Sequence, residues 1–434
     1  MISLVKIAAE MGHTVDIIVP SDNGIVEAMK SAGARNIHIV PQPLWVRGGV
    51  TRINDIGFLF SGLHKIGKIL RQTKPDVAIT NTIVHPWTAL AAKSLGIPHI
   101  WHIREYGKKD HGVSCIFGER NTFKLVSYLS NNLVTNAYGV KQHVEGYTQS
   151  IPITVSYPYV EIPALPKPAK NTTPNLVSLI MVGGITEGKG QLLAVKALES
   201  AQKKTKLRLQ LTLVGPHKQS YKKEIDNFVS SSSYLDTDSL IYAGLQPNPF
   251  DFLVKSDIYL MCSRREAFGR VTVEAMAAGL PVVGLASGGT VEIVKDGETG
   301  LLYNESVSDQ ESANSLAEGI VALAENPKKR KEMGRLAKIR VSQNFSKSSC
   351  VDPLFDIISS KAPETKKSRF FAYVIWLLSS AGLIAIYFVK SLLSIYKKIR
   401  RRTSHLIRKS IRRTRILVYK ILLRIIRMLI PDKG

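Results

Sequence analysis

Apolar residues recur at helical spacing over residues 1–11, so the chain is expected to open on a short amphipathic helix. Residues 14–19, Thr-Val-Asp-Ile-Ile-Val, then read as a buried strand entered through Gly12-His13. Further runs at 37–40, 77–80, 99–102 and 132–135 alternate with helical stretches, which predicts a parallel sheet covered on both faces. Prolines 158, 163, 166, 168 and 174 interrupt the pattern and mark a linker over 161–175. The alternation restarts at 177–182 and continues through 210–214, 240–243, 257–261, 281–284 and 300–303, with helix expected over 310–347. The pattern divides the chain into an α/β half over 1–160, the linker, a second α/β half over 176–345, and a C-terminal helix and linker over 346–369. The first half lacks the strand and Gly-rich turn that normally precede its first helix. A chain shortened at its start is the favoured explanation, because losing a central strand would unpair two neighbours. A half built without that strand is the alternative.

Beyond residue 369 the pattern changes. Phe370–Val389 holds 20 residues without a charge, enough for a helix to span roughly 30 Å of hydrocarbon. In residues 390–434, Ile407, Ile411, Val418, Leu422, Ile425 and Leu429 recur at helical spacing with arginines and lysines between them. This is the signature of a basic amphipathic helix on an anionic membrane surface. The net charge of +25 is concentrated here: residues 390–434 carry 15 Lys and Arg against Asp432, and residues 1–360 are near +8. Anionic lipids are therefore the expected partner and nucleic acid is not. The positive-inside rule places the tail on the cytoplasmic side, and a re-entrant or in-plane segment would keep the body there too. The expectation is a membrane-associated protein with a cytoplasmic catalytic body. Cys115, Cys262 and Cys350 are distant and odd in number, which argues against a disulfide framework. Residues 1–11 lack a small-residue cleavage site, so no signal peptide is expected.

The chemistry concentrates between Ser263 and Val283. A strand ends in a loop with Glu266, Gly269 permits a tight turn, and a helix follows with Glu274 about one turn in. Free N–H groups and the positive dipole end of such a helix suit a diphosphate. Glu266 can reach sugar hydroxyls and Glu274 ribose hydroxyls.

The stretch Glu266-Ala267-Phe268-Gly269-Arg270-Val271-Thr272-Val273-Glu274 resembles the paired-glutamate signature of the family 4 glycosyltransferases. Val182-Gly183-Gly184-Ile185-Thr186-Glu187-Gly188-Lys189-Gly190-Gln191 resembles the family's phosphate loop. Ser287-Gly288-Gly289-Thr290-Val291-Glu292 and Asp296-Gly297-Glu298-Thr299-Gly300-Leu301-Leu302 resemble its late loops. The resemblance implies two Rossmann-like domains facing a cleft, the GT-B fold, and retaining transfer from a nucleotide diphosphate sugar. It implies that Lys189 binds donor phosphate, that Glu266 lies beside the transferred sugar, and that Glu274 contacts ribose. Gly183, Gly184, Phe268, Gly269, Arg270, Ser287, Gly288 and Gly289 join the donor site. Gly184 stands where the family usually has Arg, and Arg264 is a candidate replacement. His102 resembles a family histidine near the reacting sugar, with Arg104 and Glu105 as weaker candidates. No His/Cys cluster of metal-binding spacing is present, and the resemblance implies no metal or other cofactor. The tail suggests a glycan or lipid-linked acceptor of the polysaccharide-biosynthesis type. The alternatives are a truncated or inactive membrane-associated relative and a nucleotide-sugar epimerase on the same fold. A phosphorylase would need a lysine-bound pyridoxal phosphate motif, and none is found.

Overall fold

The computed structural model describes residues 1–42, 44–45, 53–107, 118–148, 151–163 and 174–360. The expected span Phe370–Val389 and the basic tail lie outside them, as does most of the expected linker. Among the described residues no helix is long and apolar enough to cross a membrane.

The first half runs α1 (Ile2–Glu10), β1 (Asp16–Val19), α2 (Ile25–Ser31), β2 (Asn36–Ile39), α3 (Ile53–Thr73), β3 (Ala78–Thr80), α4 (Trp87–Leu95), β4 (His99–Ile103), α5 (Glu119–Leu129), β5 (Asn132–Thr135), α6 (Tyr138–Glu145) and β6 (Ile153–Val155). All pairings are parallel, but they form two sheets, β1-β2 and β3-β4-β5-β6. Among the described residues no strand joins β1 to β3. β6 was not legible as a strand, because three half-buried residues at a sheet edge make no run.

The second half contains β7 (Leu176–Val182), α7 (Gln191–Gln202), β8 (Arg208–Val214), α8 (Gln219–Ser231), β9 (Leu240–Gly244), α9 (Phe250–Leu253), β10 (Ile258–Met261), α10 (Arg270–Ala277), β11 (Val282–Leu285), α11 (Thr290–Ile293) and β12 (Gly300–Tyr303). α12 (Asp309–Ala324), α13 (Pro327–Asn344) and α14 (Lys347–Ser359) follow. One parallel sheet has the order β9-β8-β7-β10-β11-β12, the doubly wound order whose direction reverses between β7 and β10. Its central strands β7 and β10 are covered on both faces, so they are mostly apolar: Leu179, Ile180, Ile258 and Leu260 are fully buried. Each such side chain contributes roughly 1.5–3 kcal/mol relative to exposure.

The helical stretch expected over 310–347 is two helices. Asn326 Oδ1 accepts from Lys329 N–H and Pro327 opens α13, so a cap and a proline restart the helix there. Ser308 and Ser346 cap α12 and α14 in the same way. α14 then carries the chain back onto the first half. Ser156 Oγ donates to the Cys350 carbonyl at 2.7 Å, Lys347 pairs with Glu10 at 2.6 Å, and Phe355 stacks on His13. Leu354 packs with Ile100 of β4 and Val134 of β5. Tyr157, Phe268 and Phe345 form an aromatic triangle with centroids 5.2–5.8 Å apart, joining the inter-half segment to the second half.

Candidate functional site

The strand-order reversal leaves a crevice beyond the carboxyl ends of β7 and β10, and the loops after these strands carry the motif residues. After β7 the chain turns through Gly183 to a single 3-10 turn, Glu187–Lys189, and enters α7 at Gly190. Gly190 sits at φ 74°, and a Cβ there would lie 2.4 Å from the Cys262 carbonyl oxygen at the start of the β10 loop. Only glycine lets the two loops approach this closely. Across that contact Lys189 Nζ donates to Glu266 Oε2 at 2.6 Å, so the two residues with the strongest sequence signal meet. Both keep solvent access.

Gly269, at φ 96°, leads into α10, with Arg270 first and Glu274 in the second turn. Glu274 is mostly buried, and its nearest cation is Arg270 at 3.9 Å. Burial pushes its carboxyl above the usual range, with Arg270 pulling back. An acid so placed favours hydroxyl donors from a ligand. The β11–α11 loop packs on the β10 loop just as closely: a Cβ at Gly288 would lie 2.2 Å from the Glu266 carbonyl, and one at Gly289 2.2 Å from that of Phe268. Gly289 N–H donates to Glu266 O at 2.9 Å and Ser287 N–H to Leu285 O at 2.8 Å. These glycines therefore fix the loop carrying Glu266, and two of the three motif amides serve the protein itself.

Other motif residues are placed differently from one another. Arg264 pairs with Glu305 at 2.8 Å and with Asp309, so two carboxylates neutralise the candidate replacement for the missing phosphate cation. The Phe268 side chain is buried in the aromatic triangle. Gly183 N–H donates to Val214 O, and a Cβ at Gly215 would lie 2.1 Å from Gly183 O, so the β7 and β8 ends also need glycine. Gly184 differs: its nearest neighbour to an added Cβ is Pro216 O at 3.9 Å. Gly184→Arg has room and is expected to tighten nucleotide diphosphate binding about tenfold, the size of one partly exposed charge-assisted bond. Calorimetry with UDP on both proteins checks this.

His102, at the end of β4, is 7% exposed, and neither ring nitrogen has a hydrogen-bond partner. Burial, with Arg104 adding, pushes its pKa down to about 3, so the ring is neutral near pH 7. Glu105 accepts from Thr82 Oγ1 and Ile83 N–H, and holds that loop rather than the Arg104 guanidinium.

Sequence spacing gave no signal for the role of Glu292. Its carboxylate reaches across from α11 and accepts from Tyr138 N–H at 2.8 Å, Gly139 N–H at 2.7 Å and Tyr157 O–H at 3.0 Å. It caps the first turn of α6 from the opposite half. Arg340 fixes α11 by donating to the Glu292 and Ile293 carbonyls. Glu292→Gln replaces one accepting oxygen with an amide facing N–H groups. The closed arrangement should lose about 1–2 kcal/mol. Small-angle scattering should report a larger radius of gyration, and an unchanged radius would count against the docking role.

Two family models match this chain: "Glycosyl transferases group 1" over residues 165–340 and "Glycosyl transferase 4-like domain" over residues 3–130. Together they cover about seven tenths of the chain. The chain belongs to the GT-B glycosyltransferases of the family 4 type. It is 40% identical over 105 residues to a trehalose synthase of Pyrococcus horikoshii, covering 24% of each chain. It is 30% identical over 172 residues to a D-inositol 3-phosphate glycosyltransferase of Pseudarthrobacter chlorophenolicus, covering 39% of this chain and 40% of that one. The matches span about a quarter to two fifths of these curated relatives. Solved structures align more widely. A glycosyltransferase of Rickettsia africae has a TM-score of 0.68 at 19% identity, over 84% of this chain and 94% of that one. HepE of Anabaena in complex with UDP and glucose has a TM-score of 0.65 at 18% identity, over 82% and 95%. At these identities the structures establish the fold.

Proposed function

We propose that this protein transfers a sugar from a nucleotide diphosphate donor to a glycan or lipid-linked acceptor at a membrane, with retention at the anomeric carbon. The observation that carries the reading is the Lys189–Glu266 pair spanning the crevice between β7 and β10. Diphosphate would draw Lys189 from Glu266, and the freed carboxylate would take sugar hydroxyls. The first turn of α10 would face the diphosphate, stabilising charge on the leaving group through dipoles that need no reorganisation. Glu274 would accept from the ribose. Among the described residues no second carboxylate pair is evident for a covalent double displacement, so attack on the face that the phosphate leaves is favoured. The neutral His102 would serve the acceptor side of the crevice without adding charge. UDP is the first nucleotide to test, because HepE binds it. The basic, apolar tail supports a membrane location with the catalytic body on the cytoplasmic side.

The test uses full-length protein in detergent, a panel of nucleotide sugars beginning with UDP-glucose, and membrane extract as acceptor. Release of UDP with sugar incorporated in the donor's anomeric configuration is the expected result. Incorporation with inversion removes the retaining mechanism. An epimerised nucleotide sugar without incorporation, or no turnover of any donor, removes the transferase reading.

A further inference from the structure

A cavity of about 50 Å³ lies where the two halves meet. α1 and α14 supply its apolar sides. Its polar wall includes Asn81 just beyond β3, His102 and Arg104 at and beyond the end of β4, and Arg270 at the start of α10. Two guanidinium groups face this space and no carboxylate lines it. Arg104 has no ion pair among the described residues, and Arg270 has only Glu274 at 3.9 Å. Glu105, next in sequence to Arg104, offsets part of its charge through space, but its oxygens are taken by the Thr82–Ile83 loop. Arg104 is half-buried and Arg270 about half exposed, and two like charges brought together beside a cavity are costly unless an anion completes the set.

The unpartnered polar atoms point to the same conclusion. His102 is more than nine-tenths buried with both ring nitrogens free, and the Asn81 Oδ1 in the same wall is buried without a partner. Buried polar groups are nearly always hydrogen-bonded, so several orphans around one cavity mark where a ligand supplies the partners. One ring N–H of His102 suits an anionic oxygen. Asn81 Oδ1, an acceptor, suits a hydroxyl beside it. The volume has room for a few atoms of water size, which fits a small anionic group and not a sugar ring.

We propose that this cavity is an acceptor subsite for one anionic group, a phosphate or carboxylate, held between Arg104 and Arg270. As an acceptor subsite it rests on the transferase reading above. The anion belongs to the acceptor because Asn81, His102 and Arg104 come from the first half, only Arg270 among the charged side chains comes from the second, and neither Lys189 nor Glu266 lines the cavity. The planar guanidinium fork pairs with either anion through two parallel bonds.

Calorimetry on the full-length protein tests this, with inorganic phosphate as one probe and UDP as the other. Phosphate should bind the wild type, and Arg104→Gln and Arg270→Gln should each weaken it at least about tenfold, the loss of one charge-assisted contact. UDP affinity should stay within about twofold in Arg104→Gln. Arg270 is partly exposed, so its variant keeps the test valid if the Arg104 variant misfolds. Absent phosphate binding, or affinity unchanged in both variants, overturns the site. Parallel loss of UDP and phosphate in a folded Arg104→Gln overturns the acceptor assignment, since the cavity would then serve the donor's diphosphate. Arginine-dependent phosphate binding without affinity for any nucleotide sinks the transferase reading and leaves the anion site standing.

Discussion

Glu266→Gln is expected to lower kcat/KM about 10²–10³-fold while the protein stays folded, the range for removing one pre-placed electrostatic group from a transfer site. Gln keeps the shape and one accepting oxygen but loses the charge that holds Lys189 at 2.6 Å. The lysine is then oriented only by the ligand. Stability should change little, because Lys189 is 41% exposed and pairs of this kind contribute about 0–1 kcal/mol. Initial rates over a donor series, with a thermal melt on the same preparation, check both parts. Unchanged turnover would remove Glu266 from the reaction, and a collapsed melt would make it a structural residue.

Gly190→Ala is expected to damage fold and function together. The new Cβ meets the Cys262 carbonyl at 2.4 Å and its Cβ at 2.9 Å, at a φ of 74° that disfavours every side chain. Left-handed backbone costs roughly 1–2 kcal/mol, and overpacking against main chain adds about 1–3 kcal/mol. For a half of this size, a loss of 2–3 kcal/mol lowers Tm by roughly 5–10 °C. Relief would come from parting the β7 and β10 loops, which separates Lys189 from Glu266. Nucleotide affinity should therefore fall by more than the melt alone implies. A melt within one degree of wild type would show that the two loops yield independently.

Legibility in the sequence followed burial. The second half's strands are readable because parallel strands covered on both faces become near-continuous apolar runs, as Leu176–Val182 does with Ser178 its one polar residue. The loop–helix junctions are readable because a turn at positive φ demands glycine, and Gly190 and Gly269 announce where α7 and α10 begin. What required coordinates were side-chain partners far away in sequence. Arg264 faces the site in the motif but is claimed by Glu305 and Asp309. Phe268 belongs to a triangle completed by Tyr157 and Phe345. Glu292 docks on amides more than 150 residues upstream, and no periodicity encodes such a meeting. The break within 310–347 was legible in principle, since Asn326-Pro327 is a cap followed by a first-turn proline.

The return of α14 decides which lobe is tethered. Residue 360 leaves from a helix seated on β4 and β5, so any surface that residues 361–434 grip holds the first half in place. The second half, which carries Lys189 and Glu266, is then the jaw that any hinge motion would swing.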